Sequence, residues 1–358
     1  MVFLFKECVL YEKLDEKTVK CTACAHYCRI VEGNYGACGV RKNQGGKLYL
    51  SVYGKAIAVN VDPIEKKPLF HFLPDSTIYS LGTIGCNFAC AYCQNWQISQ
   101  ATRLARSQAK NAGEAARALD ELAEKGIDLT PEQIVKNALS EKCSSIAFTY
   151  TEPTIAFEYA LDTFMLARKH GLKTVFVSNG FTSLEAISLL APVLDANNID
   201  LKSFHEEFYR DVCKARLQPV LDSIKAFREK GVWVEVTTLV IPGLNDSREE
   251  LSQIAGFLAS VDKRIPWHVT AFYPEYKMLS TPPTPPQKLL EAREIGLRAG
   301  LEFVYVGNVF APEAEGTFCP KCKTKVIDRI GFESRVEALD VQTGTCTKCG
   351  EKIPGVWT

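Results

Sequence analysis

Ile78-Tyr-Ser-Leu-Gly82-Thr-Ile-Gly85-Cys86-Asn-Phe-Ala-Cys90-Ala-Tyr-Cys93 runs from a strand-like apolar stretch, past a flexible glycine, into three thiols gathered within eight residues. No fourth cysteine follows nearby to close the set. A [4Fe–4S] cluster and a structural zinc ion each take four ligands when the site is closed. Three thiols on one short loop after a strand therefore point to a metal centre with one position left open, the arrangement that chemistry needs. Three buried structural thiols, or a zinc knuckle completed from elsewhere in the chain, would be the inert alternatives.

Outward from that loop the pattern is one of alternation. Strand-like runs are expected at Thr77–Leu81, Ser145–Tyr150, Thr174–Ser178, Asn198–Leu201, Val232–Val240, Trp267–Phe272 and Glu302–Val306. Helical stretches lie between them: Pro131–Ser140, opened by Thr130 as N-cap with proline at the first helical position, and Glu152–His170, closed by Gly171. Ser183–Leu194, Gln218–Lys230, Arg248–Val261 and Pro286–Ala299 complete the series. Repeated strand–helix units imply a parallel sheet with helical crossovers, and the fold class is α/β, a partial or complete (β/α) barrel over residues 76–310. Ala101–Lys125 reads as one extra helix inserted after the cysteine loop, a solvated helix, a lid or a partner surface. Upstream, residues 1–75 form a cysteine-rich N-terminal β unit with strand-like Lys47–Tyr53 and Ala56–Val61. Downstream, residues 311–358 form a short separate C-terminal unit.

The chain has 358 residues, 46% of them hydrophobic, enough for a full core. Its 42 basic and 42 acidic residues cancel, so charge gives no sign of nucleic-acid binding or of an anionic membrane partner. The opening Met-Val-Phe-Leu-Phe-Lys-Glu-Cys8 is too short for a signal-peptide core, and no apolar run spans a bilayer, so a cytoplasmic protein is expected. Eleven of the fourteen cysteines fall into three clusters with metal-ligand spacing, which in a large chain favours metals over disulfides. Cys8, Cys143 and Cys213 stand alone and read as inert, partly buried thiols.

In a barrel of this kind the loops at the C-terminal strand ends build the site. Cys86, Cys90 and Cys93 lie on that rim. Tyr150-Thr-Glu152-Pro153 follows the second strand, Ser178-Asn179-Gly180 ends the third, Asp200-Leu-Lys202 ends the fourth, and Thr237–Asn245 ends the fifth. Singly, Glu152 and Lys202 could be a structural ion pair and Asn179 a turn former. Together on one rim with an open metal site they read as a binding constellation.

These segments, Gly85–Gln94, Tyr150–Pro153, Ser178–Gly180, Asp200–Ser203 and Val240–Asp246, resemble the ordered motifs of the pyruvate formate-lyase activating enzyme group of the radical S-adenosylmethionine (SAM) superfamily. Over its whole length the chain is similar to the radical SAM member of the AmmeMemoRadiSam system. Cys93-Gln-Asn-Trp-Gln-Ile-Ser-Gln100, Thr149-Tyr-Thr-Glu-Pro-Thr154, Asn198-Ile-Asp-Leu-Lys-Ser-Phe204 and Ile353-Pro-Gly-Val-Trp357 carry that likeness. The resemblance implies a [4Fe–4S] cluster on Cys86, Cys90 and Cys93, with SAM chelating the open iron and cleaved reductively, in an anaerobic oxidoreductase, to a 5′-deoxyadenosyl radical that takes hydrogen from an unidentified substrate. It places Glu152 at the methionyl ammonium, Asn179 and Lys202 at the ribose and carboxylate, and Tyr92, Ile241 and Pro242 at the adenine. Tyr150 and Thr151 stand where the group has two glycines, and Val177 where it has an aspartate. The resemblance also implies an electron donor such as ferredoxin or flavodoxin.

Two further cysteine sets flank the barrel. Cys319-Pro-Lys-Cys322 and Cys346-Thr-Lys-Cys349, 23 residues apart, have the form of a zinc ribbon, with iron in a rubredoxin-like site as the alternative. Cys21, Cys24, Cys28 and Cys38 also offer four thiolates; zinc is the first reading and an auxiliary iron–sulfur cluster the other, and His26 could replace one thiolate. His268 is either a packed histidine or a substrate contact. Other functions compatible with the sequence are an iron–sulfur electron carrier or scaffold, an activase of a partner glycyl-radical protein, and a zinc protein binding nucleic acid. The substrate, whether small molecule, protein or nucleotide, is not named by any motif.

Overall fold

A computed structural model describes residues 5–358; residues 1–4, half of the stretch read against a signal peptide, lie outside the described residues. Its centre is one eight-stranded sheet whose strands stand side by side in chain order. These are β1 (Ala58–Pro63), β2 (Thr77–Gly82), β3 (Ser145–Phe148), β4 (Lys173–Ser178), β5 (Ala196–Asp200), β6 (Trp233–Val240), β7 (Trp267–Ala271) and β8 (Val304–Gly307). β2 to β8 pair in parallel, and β1 lies antiparallel along β2, with Val61 opposite Tyr79. The strands β3 and β7 are buried along their whole length, as expected of parallel strands covered on both faces.

β1 and β8 are edges that do not pair with each other, so the fold is a partial barrel and the complete-barrel alternative is excluded. The sheet also takes in Ala58–Pro63, a stretch read in the sequence as part of the N-terminal β unit. Its place is decided by pairing to β2, a contact that local propensity does not encode.

Helices follow the strands where capping chemistry starts them. Thr130 and Gln133 form a reciprocal capping box on α3 (Pro131–Ser140). Ser183 caps α5 (Leu184–Leu190), and Ser247 caps α7 (Arg248–Val261). α4 (Phe157–Lys169), α6 (Gln218–Glu229) and α8 (Pro286–Arg298) complete the outer layer. The Ala101–Lys125 stretch is two helices rather than one, α1 (Ala101–Gln108) and α2 (Ala112–Ala123). Ala109 turns extended, and the Asn111 side chain starts a new helix by accepting from the Glu114 N–H. Neither is a free solvated rod. Thr102 and Arg106 donate to the Cys38 and Gly36 carbonyls, and Lys42 pairs with Asp120 at 2.7 Å.

Before the sheet, two small antiparallel sheets join Tyr11–Lys13, Thr18–Cys21 and Arg29–Val31, and Lys6–Glu7, Lys47–Leu50 and Arg41–Gln44. After it, Thr317–Phe318, β9 (Lys325–Ile330) and β10 (Glu333–Val336) make a third. This C-terminal unit shares a core with Phe70, Phe303 and Tyr305 beside β8. Arg329 clamps it there, donating to the Phe70 carbonyl at 2.5 Å with its guanidinium 4.3 Å from the Phe70 ring centre. The terminal segment then returns to the loop after β1, where Phe72 and Val356 pair and Trp357 packs on His71. No helix among the described residues is long and apolar enough to cross a membrane.

Candidate radical-chemistry site

A cavity of about 1000 Å³ opens at the C-terminal ends of the parallel strands. Cys86, Cys90 and Cys93 all face it from the loop after β2. Gly85 lets that loop turn: its φ is +92°, and a Cβ there would lie 2.7 Å from the Cys38 carbonyl. The loop is tied down from several sides. Phe88 N–H donates to Cys86 Sγ at 3.4 Å, Ser99 Oγ lies 3.1 Å from Cys93 Sγ, and Ala89 and Ala91 donate to the carbonyls of Cys213 and Val212.

Cys213 does not stand alone. It is fully buried behind the loop, with its sulfur 3.8 Å from the Tyr92 hydroxyl and its carbonyl accepting from Ala89 N–H at 2.8 Å. It is not on the cavity wall, so the thiols facing the open space remain three. The sequence has no signal for this contact, which a turn of π-helix at Tyr209–Cys213 creates.

Residues from the other strand ends reach the same space. Asn179, after β4, lines the cavity and donates to Asn87 Oδ1 at 2.7 Å, and its amide nitrogen lies 4.0 Å from Cys86 Sγ. Lys202, after β5, lines it too, with its ammonium 2.8 Å from Asp200 and 5.9 Å from the centre of the Tyr92 ring. Burial opposes the Lys202 charge, yet Asp200 holds its pKa above the ordinary lysine value.

Three further residues expected at the cofactor, Glu152, Ile241 and Pro242, are not on the wall of this cavity. Glu152 is fully buried and off the cavity wall, one oxygen accepting from Thr154 N–H and Ser178 Oγ, the other from Asn179 N–H at 2.8 Å. Burial pushes its carboxyl above the usual range against the pull of those bonds. Its oxygens are thereby committed to joining the ends of β3 and β4. Ile241 is buried in the core and Pro242 follows it; on this strand Thr237 and Leu239 reach the cavity instead. Asn245 holds that turn away by accepting from Ile241 N–H at 2.6 Å.

Tyr150 takes the backbone role of a glycine. Its φ is +66°, unusual for a bulky residue. The side chain is anchored against that strain: its hydroxyl donates to Asp62 at 2.7 Å and accepts from Asn60 at 2.9 Å, and the Lys67 ammonium sits 4.6 Å from the ring centre. Its carbonyl accepts from Asn95, two residues past Cys93, at 2.7 Å.

His268 lines the cavity while its Nε2 lies 2.7 Å from Glu235, so packing and cavity contact coexist. Both are buried, and Glu235 also accepts from the Phe70, His71 and Trp233 N–H groups. The outer wall holds residues that no sequence motif marks: Lys66 and Lys67 from the loop after β1, Phe310 after β8, and Gly331 and Phe332 from the β9–β10 turn.

The donor set suits an iron–sulfur cluster. Three sulfurs face open space, and the Asn87 side-chain nitrogen is buried next to Cys86 with no partner among the described residues, an N–H available to a sulfur. Burial pushes the Cys86 thiol well up, so a metal must displace its proton. At the C-terminus, Cys319, Cys322, Cys346 and Cys349 bring their four sulfurs within 4.8 Å of one another, with 3.6 Å between Cys319 and Cys349. Tetrahedral ligands on 2.3 Å bonds lie about 3.8 Å apart, so one ion fits.

The family model of the radical SAM superfamily matches residues 81–257. An uncharacterized protein of Methanocaldococcus jannaschii is 42% identical over 349 residues, covering 97% of this chain and 98% of its own. The pyruvate formate-lyase 2-activating enzyme of Escherichia coli K12 is 25% identical over 249 residues, 63% of this chain and 85% of the relative. Among solved structures, a radical SAM methyltransferase from Sphaerobacter thermophilus aligns over 85% of this chain and 76% of its own, at 13% identity and a TM-score of 0.49.

Proposed function

The chain belongs to the radical SAM superfamily, in its pyruvate formate-lyase activating enzyme-like group, and from that membership we propose that Cys86, Cys90 and Cys93 hold a [4Fe–4S] cluster with SAM at its open iron. The observation that carries this reading is the count of thiols on the cavity wall: three, at the strand ends, beside a space of about 1000 Å³. When bound, the pair supplies the reductive cleavage of SAM to methionine and a 5′-deoxyadenosyl radical, which takes hydrogen from a substrate.

The protein's own residues position and enclose. Thr149 and Tyr150 line the cavity at a left-handed turn that needs no glycine, and we place the methionyl ammonium beside it. Glu152 acts through Asn179 and Ser178, fixing the turn rather than touching the ligand. Asn179 and Lys202 offer an amide and a cation to the ribose and carboxylate, and Tyr92 and Leu239 offer flat and apolar surface to the adenine. The space beyond, between Lys67, His268, Phe310 and Phe332, is left for the substrate. One zinc ion, or iron, on the four C-terminal sulfurs holds the unit that carries Phe332. We infer a reductant of the ferredoxin or flavodoxin class and a cytoplasmic enzyme.

Anaerobic protein reduced with dithionite is expected to convert SAM to 5′-deoxyadenosine and methionine, and Cys90→Ala to abolish this together with iron at that loop. Undiminished turnover in Cys90→Ala would overturn the reading. Redox cycling with no SAM cleavage would favour an electron carrier.

A further inference from the structure

We propose that Cys21, Cys24, Cys28 and Cys38 bind a second iron–sulfur cluster, packed directly behind the loop that carries the first. All four line one narrow enclosed space, together with His26 and Arg41. Their surroundings repeat those of the Cys86 loop. Ala37 N–H donates to Cys28 Sγ at 3.4 Å, as Phe88 N–H does to Cys86 Sγ at 3.4 Å. Such donors stabilise metal-bound thiolates.

Arg41 supplies an independent sign of a missing group. Its side chain is 2% exposed; one nitrogen pairs with Glu158 and another donates to the Ile155 carbonyl at 3.0 Å. The third nitrogen, Nη1, is buried with no partner among the described residues, and Arg41 is one of the residues lining the space the cysteines face. A buried cationic donor left unmet is costly, and a sulfide- and thiolate-bearing anion would meet it.

A buried cationic donor beside four thiols suits a sulfide-bearing cluster over a single ion. Two sulfurs on one ion with 2.3 Å bonds can be at most about 4.6 Å apart. The C-terminal four, within 4.8 Å of one another, suit one ion. The position is also specific. The Cys38 carbonyl abuts Gly85, His26 Nε2 lies 2.8 Å from the Asn87 carbonyl, and Cys24 bridges to Thr182 beyond Asn179. His26 Nε2 donates to the Asn87 carbonyl, which fixes the ring between the two cysteine loops.

The test uses the full chain with Cys86, Cys90 and Cys93 all changed to alanine, which leaves the N-terminal set intact, purified anaerobically beside the wild type. The variant is expected to keep about four irons and four acid-labile sulfides per chain, half the wild-type content. Its dithionite-reduced electron paramagnetic resonance signal should not respond to SAM. Cys24→Ala/Cys28→Ala should show the converse, about half the iron with a SAM-responsive signal. A triple-alanine variant holding zinc and no labile sulfide overturns the proposal while leaving the Cys86 site standing. Iron confined to the N-terminal set in the wild type would support it and instead defeat the reading of the Cys86 loop.

Discussion

Asn179 Nδ2 donates to Asn87 Oδ1 at 2.7 Å, and this one bond ties the end of the third parallel strand to the residue that follows Cys86. It joins the ligand-binding rim to the cysteine loop. Asn179→Ala should leave iron content unchanged and weaken SAM binding about tenfold, the worth of one or two hydrogen bonds. Equilibrium dialysis with labelled SAM, beside an iron assay, checks it; loss of iron together with SAM would show that Asn179 holds the loop's fold instead.

Tyr150 is held in its left-handed turn by Asp62, which also pairs with Lys66 at 2.9 Å and Lys67 at 2.7 Å. Tyr150→Phe removes a hydrogen bond to a charged group and should cost about 2 kcal/mol in urea unfolding. Tyr150→Gly relieves the backbone but removes the ring beneath Lys67, and should be no more stable than the phenylalanine variant.

His71 gives the stability a pH dependence. Its two ring nitrogens lie 2.6 Å from the Pro354 carbonyl and the Tyr305 hydroxyl, and burial pulls its pKa from 6.5 down to about 4. Between those values the unfolded chain takes up a proton that the folded chain refuses, so stability falls as pH drops from about 6.5 to 4, by roughly 3 kcal/mol. Denaturant titrations at pH 7.5, 6 and 5 should show this slope. His71→Asn should be weaker at pH 7.5 but visibly flatter below it.

Metal removal should act locally at the C-terminus. Chelation, or Cys346→Ser, should speed hydrogen exchange across residues 317–346 at least tenfold while the central sheet stays protected, because metal binding supplies folding energy that so short a unit lacks. Gly331 and Phe332 would loosen with it, opening one wall of the cavity. Equal exchange with and without metal would mean that Arg329 and Phe70 suffice to hold the unit.

The sheet was legible in the sequence because its signals are local. Buried apolar runs such as Ser145–Phe148 and caps such as Thr130 with Pro131 and Gln133 declare themselves within a few residues. What the sequence hid depends on tertiary contact. Ala58–Pro63 looks like any strand until it meets β2, and Cys213 like any buried thiol until a π-turn brings it to Tyr92 on the cysteine loop. Glu152 bears a family motif, but its carboxylate is claimed by Ser178 and Asn179 from the next strand. The break at Asn111 was missed because Ala, Arg and Glu on either side favour helix equally.

The central claim is that one iron of the cluster on Cys86, Cys90 and Cys93 lacks a protein ligand and receives SAM. Electron–nuclear double resonance on the reduced, anaerobic protein with SAM labelled by nitrogen-15 in its amino group tests this most directly. The account predicts a hyperfine coupling from the label that disappears in Cys90→Ala. A cluster signal unchanged by SAM, with no coupling to the label, would contradict it.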